Sequence, residues 1–180
     1  MVLIPCYDCE KEISDQAARC PHCGAPRRED HKWASISAGI HHTVGITTSG
    51  DAYAWGGYAY GQIGDGTRDS GEVTPRPTPT LVSGGHTWAS IAAGTFNTVG
   101  IITSRAGYFW GCYWSPDGRH LTPTLVSGAW ASISAGRYHT VGITTSGEAY
   151  AWGSNSILQL GTGDTSGTIH TTPVLVSPHP

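Results

Sequence analysis

At 180 residues the chain has room for one ordinary domain, or one domain and a small appendage. Charged residues make up only 13% and the net charge is −3, so no strong overall field selects a partner by sign. With 25 glycines, abundant Thr and Ser, and Met1 as the only methionine, the composition argues against a helical protein; a core of Trp, Tyr, Ile, Val and Ala is strand chemistry.

The charge imbalance is local. Five of the ten basic residues fall within the first 32 positions, and the rest of the chain carries five Arg against seven carboxylates. A nucleic-acid binder displaces counterions from phosphate with a basic stripe, so nucleic-acid binding by the region after Lys32 is disfavoured. The opening Met1-Val-Leu-Ile-Pro-Cys6 lacks the basic flank and apolar run of a signal peptide. No stretch approaches the roughly 18 apolar residues of a membrane-spanning helix. The expectation is a soluble, cytoplasmic chain with reduced cysteines and no membrane partner.

The first thirty residues hold Cys6-Tyr-Asp-Cys9 and Cys20-Pro-His-Cys23-Gly24, two Cys-x-x-Cys pairs separated by ten residues. Each such knuckle aims two sulfurs at one point, and zinc in closed structural sites takes four tetrahedral ligands. A disulfide framework would need an oxidising compartment, and a redox Cys-x-x-Cys comes singly in a βαβ setting. The spacing therefore predicts one structural zinc on Cys6, Cys9, Cys20 and Cys23, with His22 an exposed knuckle residue. Ile4, Cys6, Cys9, Ile13, Cys20, Pro21, Cys23 and Gly24 together resemble the short bacterial N-terminal zinc-ribbon modules. Glu10 stands where that family usually has Gly, which predicts slight strain in the first knuckle. The ribbon is expected over 1–28, with a polar linker over 29–32.

Beyond Lys32 the chain repeats itself. Trp33 to Gly56 and Trp130 to Gly153 differ at three places only: Ile40 against Arg137, His41 against Tyr138, and Asp51 against Glu148. A looser copy runs from Trp88 to Gly111. Each copy reads Trp-Ala-Ser-Ile, then Ala-Gly, Thr-Val-Gly-Ile, a turn, Tyr-x-Trp-Gly, and after a polar loop Pro-x-Leu-Val-Ser. Short β-branched or aromatic runs punctuated by Gly read as four antiparallel strands per copy. Gly45, Gly100 and Gly142 fall inside strands, where Gly is kept when another backbone or ring packs close. Thr48-Ser-Gly50 and Thr145-Ser-Gly147 read as hairpin turns needing positive φ. Arg105 takes that place in the middle copy, which predicts a shifted turn there.

Four-stranded units recurring in register at 33, 88 and 130 are the signature of β-propeller blades. The motif resembles the regulator of chromosome condensation repeat family through Gly39, His42, Thr43, Trp55, Gly56 and Gly61-Gln-Ile-Gly-Asp-Gly66. Gly136, His139, Thr140, Trp152, Gly153, Asn155 and Gln159-Leu-Gly-Thr-Gly163 carry it again in the third copy. The second departs, with Asn97 for the His and Cys112-Tyr-Trp-Ser-Pro-Asp-Gly-Arg119 for the glycine-rich loop. The expected fold is all-β: three four-stranded propeller-type blades over 33–87, 88–129 and 130–180, preceded by the zinc ribbon. The resemblance implies propellers of typically seven blades, so three form either a fragment or an arc completed by other copies, head to tail, as a ring or filament.

No nucleophile, base and orienting partner can be assembled, so catalytic residues are expected to be none. The recurrence of His42 and His139 argues for a structural role such as bonding a turn. Gly61 to Gly66 lacks the Lys-Ser/Thr and strand-to-helix context of a phosphate loop and reads as a β-turn linker. Asp65, Asp69 and Glu72 are too few for calcium. Cys112 reads as a small buried residue. Trp110, Tyr113 and Trp114, rings clustered in the most divergent copy, are the expected partner-binding surface. The leading expectation is a non-enzymatic protein-interaction module with an unknown protein partner. The alternatives are a head-to-tail self-assembling structural protein and, as the family resemblance implies, a guanine-nucleotide exchange factor.

Overall fold

The computed structural model describes residues 3–6, 9–25, 32–67, 75–112 and 118–177. Every regular element among them is a strand, and no helix is long and apolar enough to cross a membrane. In the N-terminal unit β1 (Leu3–Pro5) pairs antiparallel with β2 (Glu12–Ser14), setting Ile4 opposite Ile13.

The first blade is a four-stranded antiparallel sheet in chain order: β3 (Trp33–Ala38), β4 (His42–Thr47), β5 (Ala52–Gly56) and β6 (Arg76–Leu81). The next two copies are joined through one shared strand. β7 (Trp88–Ala93), β8 (Asn97–Ile102), β9 (Ala106–Gly111), β10 (His120–Ala135), β11 (His139–Thr144), β12 (Ala149–Ser154) and β13 (Ile169–Leu175) form one seven-stranded sheet. The expected four strands per copy are present, β7 to β10 in the second and β10 to β13 in the third. The sixteen-residue β10 serves as the fourth strand of the second copy and the first strand of the third. The cause is connector length. Ser83-Gly-Gly-His-Thr87 separates Val82 from Trp88, whereas only Ser127-Gly-Ala129 separates Val126 from Trp130. The shorter link has no room for a loop, so the chain runs on through a bulge between Val126 and Ala129.

Inside each copy a tryptophan on the first strand lies across a glycine of the second. A methyl group on Gly45, Gly100 or Gly142 would fall 2.7 Å from Trp33 Cζ3, Trp88 Cζ3 or Trp130 Cε3. The gap lets each ring reach the third strand: Trp33 meets Tyr53 and Trp55 at 6.0 and 5.5 Å between ring centroids, Trp88 meets Tyr108 and Trp110 at 5.7 and 5.3 Å, and Trp130 meets Tyr150 and Trp152 at 6.0 and 5.3 Å. A register shift at the same place in each first strand, after Trp33, Trp88 and Trp130, bends that strand. The strand glycines thus accommodate rings.

Gly50 and Gly147 close their hairpins at φ 86° and 92°. Arg105 does the same at φ 72°, donating its N–H to Ile102 O at 2.9 Å as Gly50 donates to Thr47 O. The expected shift of turn geometry does not occur. Pairing on both sides fixes the turn, and Arg105 is held in the left-handed region, which for a side chain with a Cβ costs roughly 1–2 kcal/mol.

Candidate metal centre

The two cysteine knuckles have the same construction. Glu10 N–H returns to Cys6 O and Gly24 N–H to Cys20 O, both at 2.8 Å, and the residue closing each turn has positive φ, 59° for Glu10 and 77° for Gly24. The strain expected at Glu10 is present. All four sulfurs lie within 4.8 Å of one another, with Cys6 Sγ to Cys23 Sγ at 3.7 Å and Cys9 Sγ to Cys20 Sγ at 3.6 Å. Four thiolates about 2.3 Å from a central zinc stand about 3.8 Å apart in a tetrahedron. The spacing and the donor set fit that ion.

The thiols are electrostatically unequal. Burial opposes ionisation of Cys20, but backbone N–H groups of His22, at 3.4 Å, and Cys23 overcome it and bring the thiol down to about 7. Cys23 is exposed as a residue, yet desolvation of its sulfur, with the neighbouring thiols adding, raises it above the usual thiol range. A metal ion resolves such crowding by binding the deprotonated sulfurs.

The ribbon sits against the first blade. Arg19 donates from Nη1 to Asp51 Oδ1 at 2.8 Å and from Nη2 to Asp51 Oδ2 at 3.1 Å, while Nη1 also reaches Gly24 O at 3.0 Å. Asp51 accepts a further bond from Ser49 Oγ at 2.6 Å. Leu81 packs on the small ribbon core of Cys6, Ile13, Cys20 and Ala25. Asp51 is one of the three positions separating the near-identical copies. Its counterpart Glu148 is exposed, and its carboxylate accepts a local bond from Ser146 Oγ at 2.9 Å. That difference marks the docking contact, although sequence reasoning did not single it out.

The repeated histidine joins neighbouring blades instead of bonding a turn. His42 is buried, and its Nε2 lies 2.8 Å from Thr98 Oγ1 in the next copy. Thr98 Oγ1 donates to Gln62 O at 2.8 Å, and Trp110 Nε1 donates to the same oxygen at 3.0 Å. Gly61 to Gly66 is therefore an inter-blade plug, with Gln62 and Ile63 fully buried, and not a passive linker. Asp65 is held by Arg76 Nη2 at 3.0 Å and by Thr67; Asp69 and Glu72 lie outside the described residues. Burial, with repulsion from His41 second, lowers the His42 pKa to about 4, so the ring is neutral near pH 7.

Trp110 is wholly buried in the core between the first two blades and cannot form a partner surface. Its ring is the third-strand tryptophan of the repeat, as Trp152 is, and register overrides its neighbourhood in sequence. Tyr113 and Trp114 lie outside the described residues. Cys112 is buried.

Two descriptions of the "Regulator of chromosome condensation (RCC1) repeat" match the chain, one at residues 33–62 and 130–156 and the other at 49–101. The chain belongs to the RCC1 repeat family. Neither match reaches the four cysteines at Cys6 to Cys23. Among RCC1-repeat relatives, the ultraviolet-B receptor UVR8 of Arabidopsis thaliana is 37% identical over 84 residues, 47% of this chain and 18% of that protein. The human RCC1 domain-containing protein 1 is 32% identical over 89 residues, 49% of this chain and 22% of that protein. The matched part of this chain thus spans about a fifth of either relative. Prp20p from Saccharomyces cerevisiae superposes with TM-score 0.69 at 21% identity over 80% of this chain and 38% of its own. Human WBSCR16 superposes with TM-score 0.67 at 18% identity over 81% and 38%. At these identities the likeness shows the fold, a β-propeller arc.

Proposed function

We propose that the chain is a non-enzymatic protein-interaction module, an arc of propeller blades carrying a structural zinc ribbon. The zinc would be held by Cys6, Cys9, Cys20 and Cys23, whose sulfur spacing supports the assignment, and would supply cross-linking of the two knuckles in a unit too small for a core of its own. The blade chemistry supports binding over catalysis. His42 is engaged with Thr98, Asp51 with Arg19, Asp65 with Arg76, and Asp164 with His170 at 2.9 Å. The related Prp20p is described with binding properties to Gsp1p and histones, and yeast RCC1 with bound Kap60, so a protein partner is the reading carried here.

The observation that carries it is an apolar cleft of about 560 Å3 at the outer strands of the second and third blades. Phe109 and Trp152 line it together with Val126, Pro173 and the exposed Leu125 and Ile169. Exposed apolar side chains around buried rings suit an extended segment of another protein. Cross-linking mass spectrometry on the zinc-loaded chain in extract of its source cells should place a saturable protein partner on Leu125 and Ile169, and Leu125→Glu should remove it. Contacts that ignore the cleft, or survive that substitution unchanged, would overturn the assignment.

A further inference from the structure

The three copies expose the same positions to different degrees. Val44 and Ile46 on β4 are 0% and 3% exposed beneath the second blade, and Val99 and Ile101 on β8 are 0% and 2% exposed beneath the third. Their counterparts Val141 and Ile143 on β11 are 39% and 46% exposed. The opposite face has the complementary gap. Trp88 and Trp130 are 3% and 1% exposed, whereas Trp33 and Ile36 on β3 are 38% and 57% exposed. One side of a blade joint is open on the third blade, and the other side is open on the first.

We infer that these faces join head to tail between two copies of this chain, β3 of one packing over β11 of the other as β7 packs over β4 within the chain. The reading above enters only in that one partner is now named. The open faces carry the same side-chain types as the closed joint: Val and Ile on one side, Trp and Ile on the other. The polar groups are also in register. Between the first two blades, Thr98 bonds His42 and the carbonyl of Gln62, and Trp110 donates to that carbonyl. In the proposed joint His139 and Gln159 of one copy meet Thr43 and Trp55 of the next.

All four side chains are less buried than the equivalents that already have a neighbouring blade. His139 and Gln159 are half-buried where His42 and Gln62 are 3% and 1% exposed. Thr43 and Trp55 are half-buried where Thr98 and Trp110 are both 0% exposed. A second alignment supports the pairing. His41 stacks on Phe96 at 5.2 Å and Phe96 meets Tyr138 at 5.9 Å with the rings tilted by 33°, a row of rings at one repeat position. Across the joint, Tyr138 of one copy reaches His41 of the next. The first blade of this chain carries the complementary set of Trp, Ile, Thr and Trp in Trp33, Ile36, Thr43 and Trp55, and the contact is heterologous, so it closes only when the rotation permits.

The zinc-loaded full chain is measured by light scattering over a concentration series, with Ile36→Asp and Ile143→Asp as variants. Both side chains are exposed, so each variant should keep the wild-type circular-dichroism spectrum. The expected result is a wild-type mass of at least twice 18.9 kDa, a monomer for each variant alone, and a heterodimer when the variants are mixed, because each retains one intact face. A wild-type monomer at every concentration assigns the faces to a different occupant and overturns the proposal. Either variant keeping the wild-type mass overturns it also, and a mixture that stays monomeric overturns the head-to-tail pairing. Leu125→Glu in the outer cleft should leave the mass unchanged, so failure of the cleft assignment and failure of this joint are read separately.

Discussion

His42 makes the joint between the first two blades sensitive to acid, and the size of the effect can be worked out. Its ring is nine-tenths buried or more, its Nε2 is engaged by Thr98, and its pKa falls from 6.5 in the unfolded chain to about 4. The charged form is favoured by unfolding, so the unfolded chain binds more protons between those values. The neutral-ring stability is fully present above pH 6.5 and is lost as pH falls toward 4. Moving from about pH 7.5 to about pH 5 should therefore remove on the order of 2 kcal/mol through this residue alone. Asp164 works in a different window: hydrogen bonds from Ser166 and His170 hold its carboxyl well below the usual range, so its contribution is lost only at lower pH. Acid also strips thiolate-bound metal, but that loss is common to every variant with intact cysteines. The measurement is urea unfolding at the two pH values for the wild type and His42→Asn, the residue found at Asn97. Wild type should lose about 2 kcal/mol more than the variant. Equal losses would show that His42 titrates normally and would refute the buried, neutral bridge.

Gly100→Ala places a methyl group 2.7 Å from the buried Trp88 ring and 3.1 Å from Ser90 O. Thermal unfolding should show destabilisation of about 1–3 kcal/mol. In the Ile36→Asp background, where β3 stays uncovered, the equivalent Gly45→Ala should lose less, because Trp33 is 38% exposed and free to yield. Arg105→Gly should stabilise the chain by roughly 1 kcal/mol in chemical unfolding, since it relieves a left-handed φ at a turn the flanking strands already fix. Zinc titrated by a chromogenic chelator after thiol modification should come to one ion per chain, and Cys23→Ser should release it at lower chelator concentration. Removing the metal should unfold the ribbon while the near-ultraviolet signal of the blade tryptophans persists. The Arg19–Asp51 pair, with Arg19 about half exposed, ties the two units by only ~0–1 kcal/mol.

The features that chain-local chemistry determines were readable in advance. Spacing marked the four cysteines because a knuckle is closed by its own backbone. Strand boundaries followed the glycine punctuation, and the in-strand glycines implied a ring packed close. What could not be read locally lies one repeat away. His42 and Thr98 are 56 residues apart, close to the repeat spacing, so their bond depends on how successive blades stack. Trp110 was misplaced because Tyr113 and Trp114 beside it suggested a surface cluster, whereas its register with Trp152 determines its burial. The continuity of β10 through the second and third blades depends on a connector only two residues shorter, which is decisive only once the strand directions are known.

Repetition also turns small differences between copies into information. A side chain that is buried twice and exposed once keeps its chemistry where the described residues lay no blade against it, and this is the condition of Val141 and Ile143 on one face and of Trp33 on the other. A residue that changes where all else is copied has acquired a different neighbour, and Asp51, which replaces the pattern of Glu148, holds the ribbon through Arg19. The hydrophobic contribution of a blade joint scales with the apolar area removed from water, whichever chain supplies the covering strand. Faces with matching side chains and matching polar registers should therefore close by the same contacts that already hold the first blade to the second. The proposed association through β3 and β11 would then follow from the repeat's own packing.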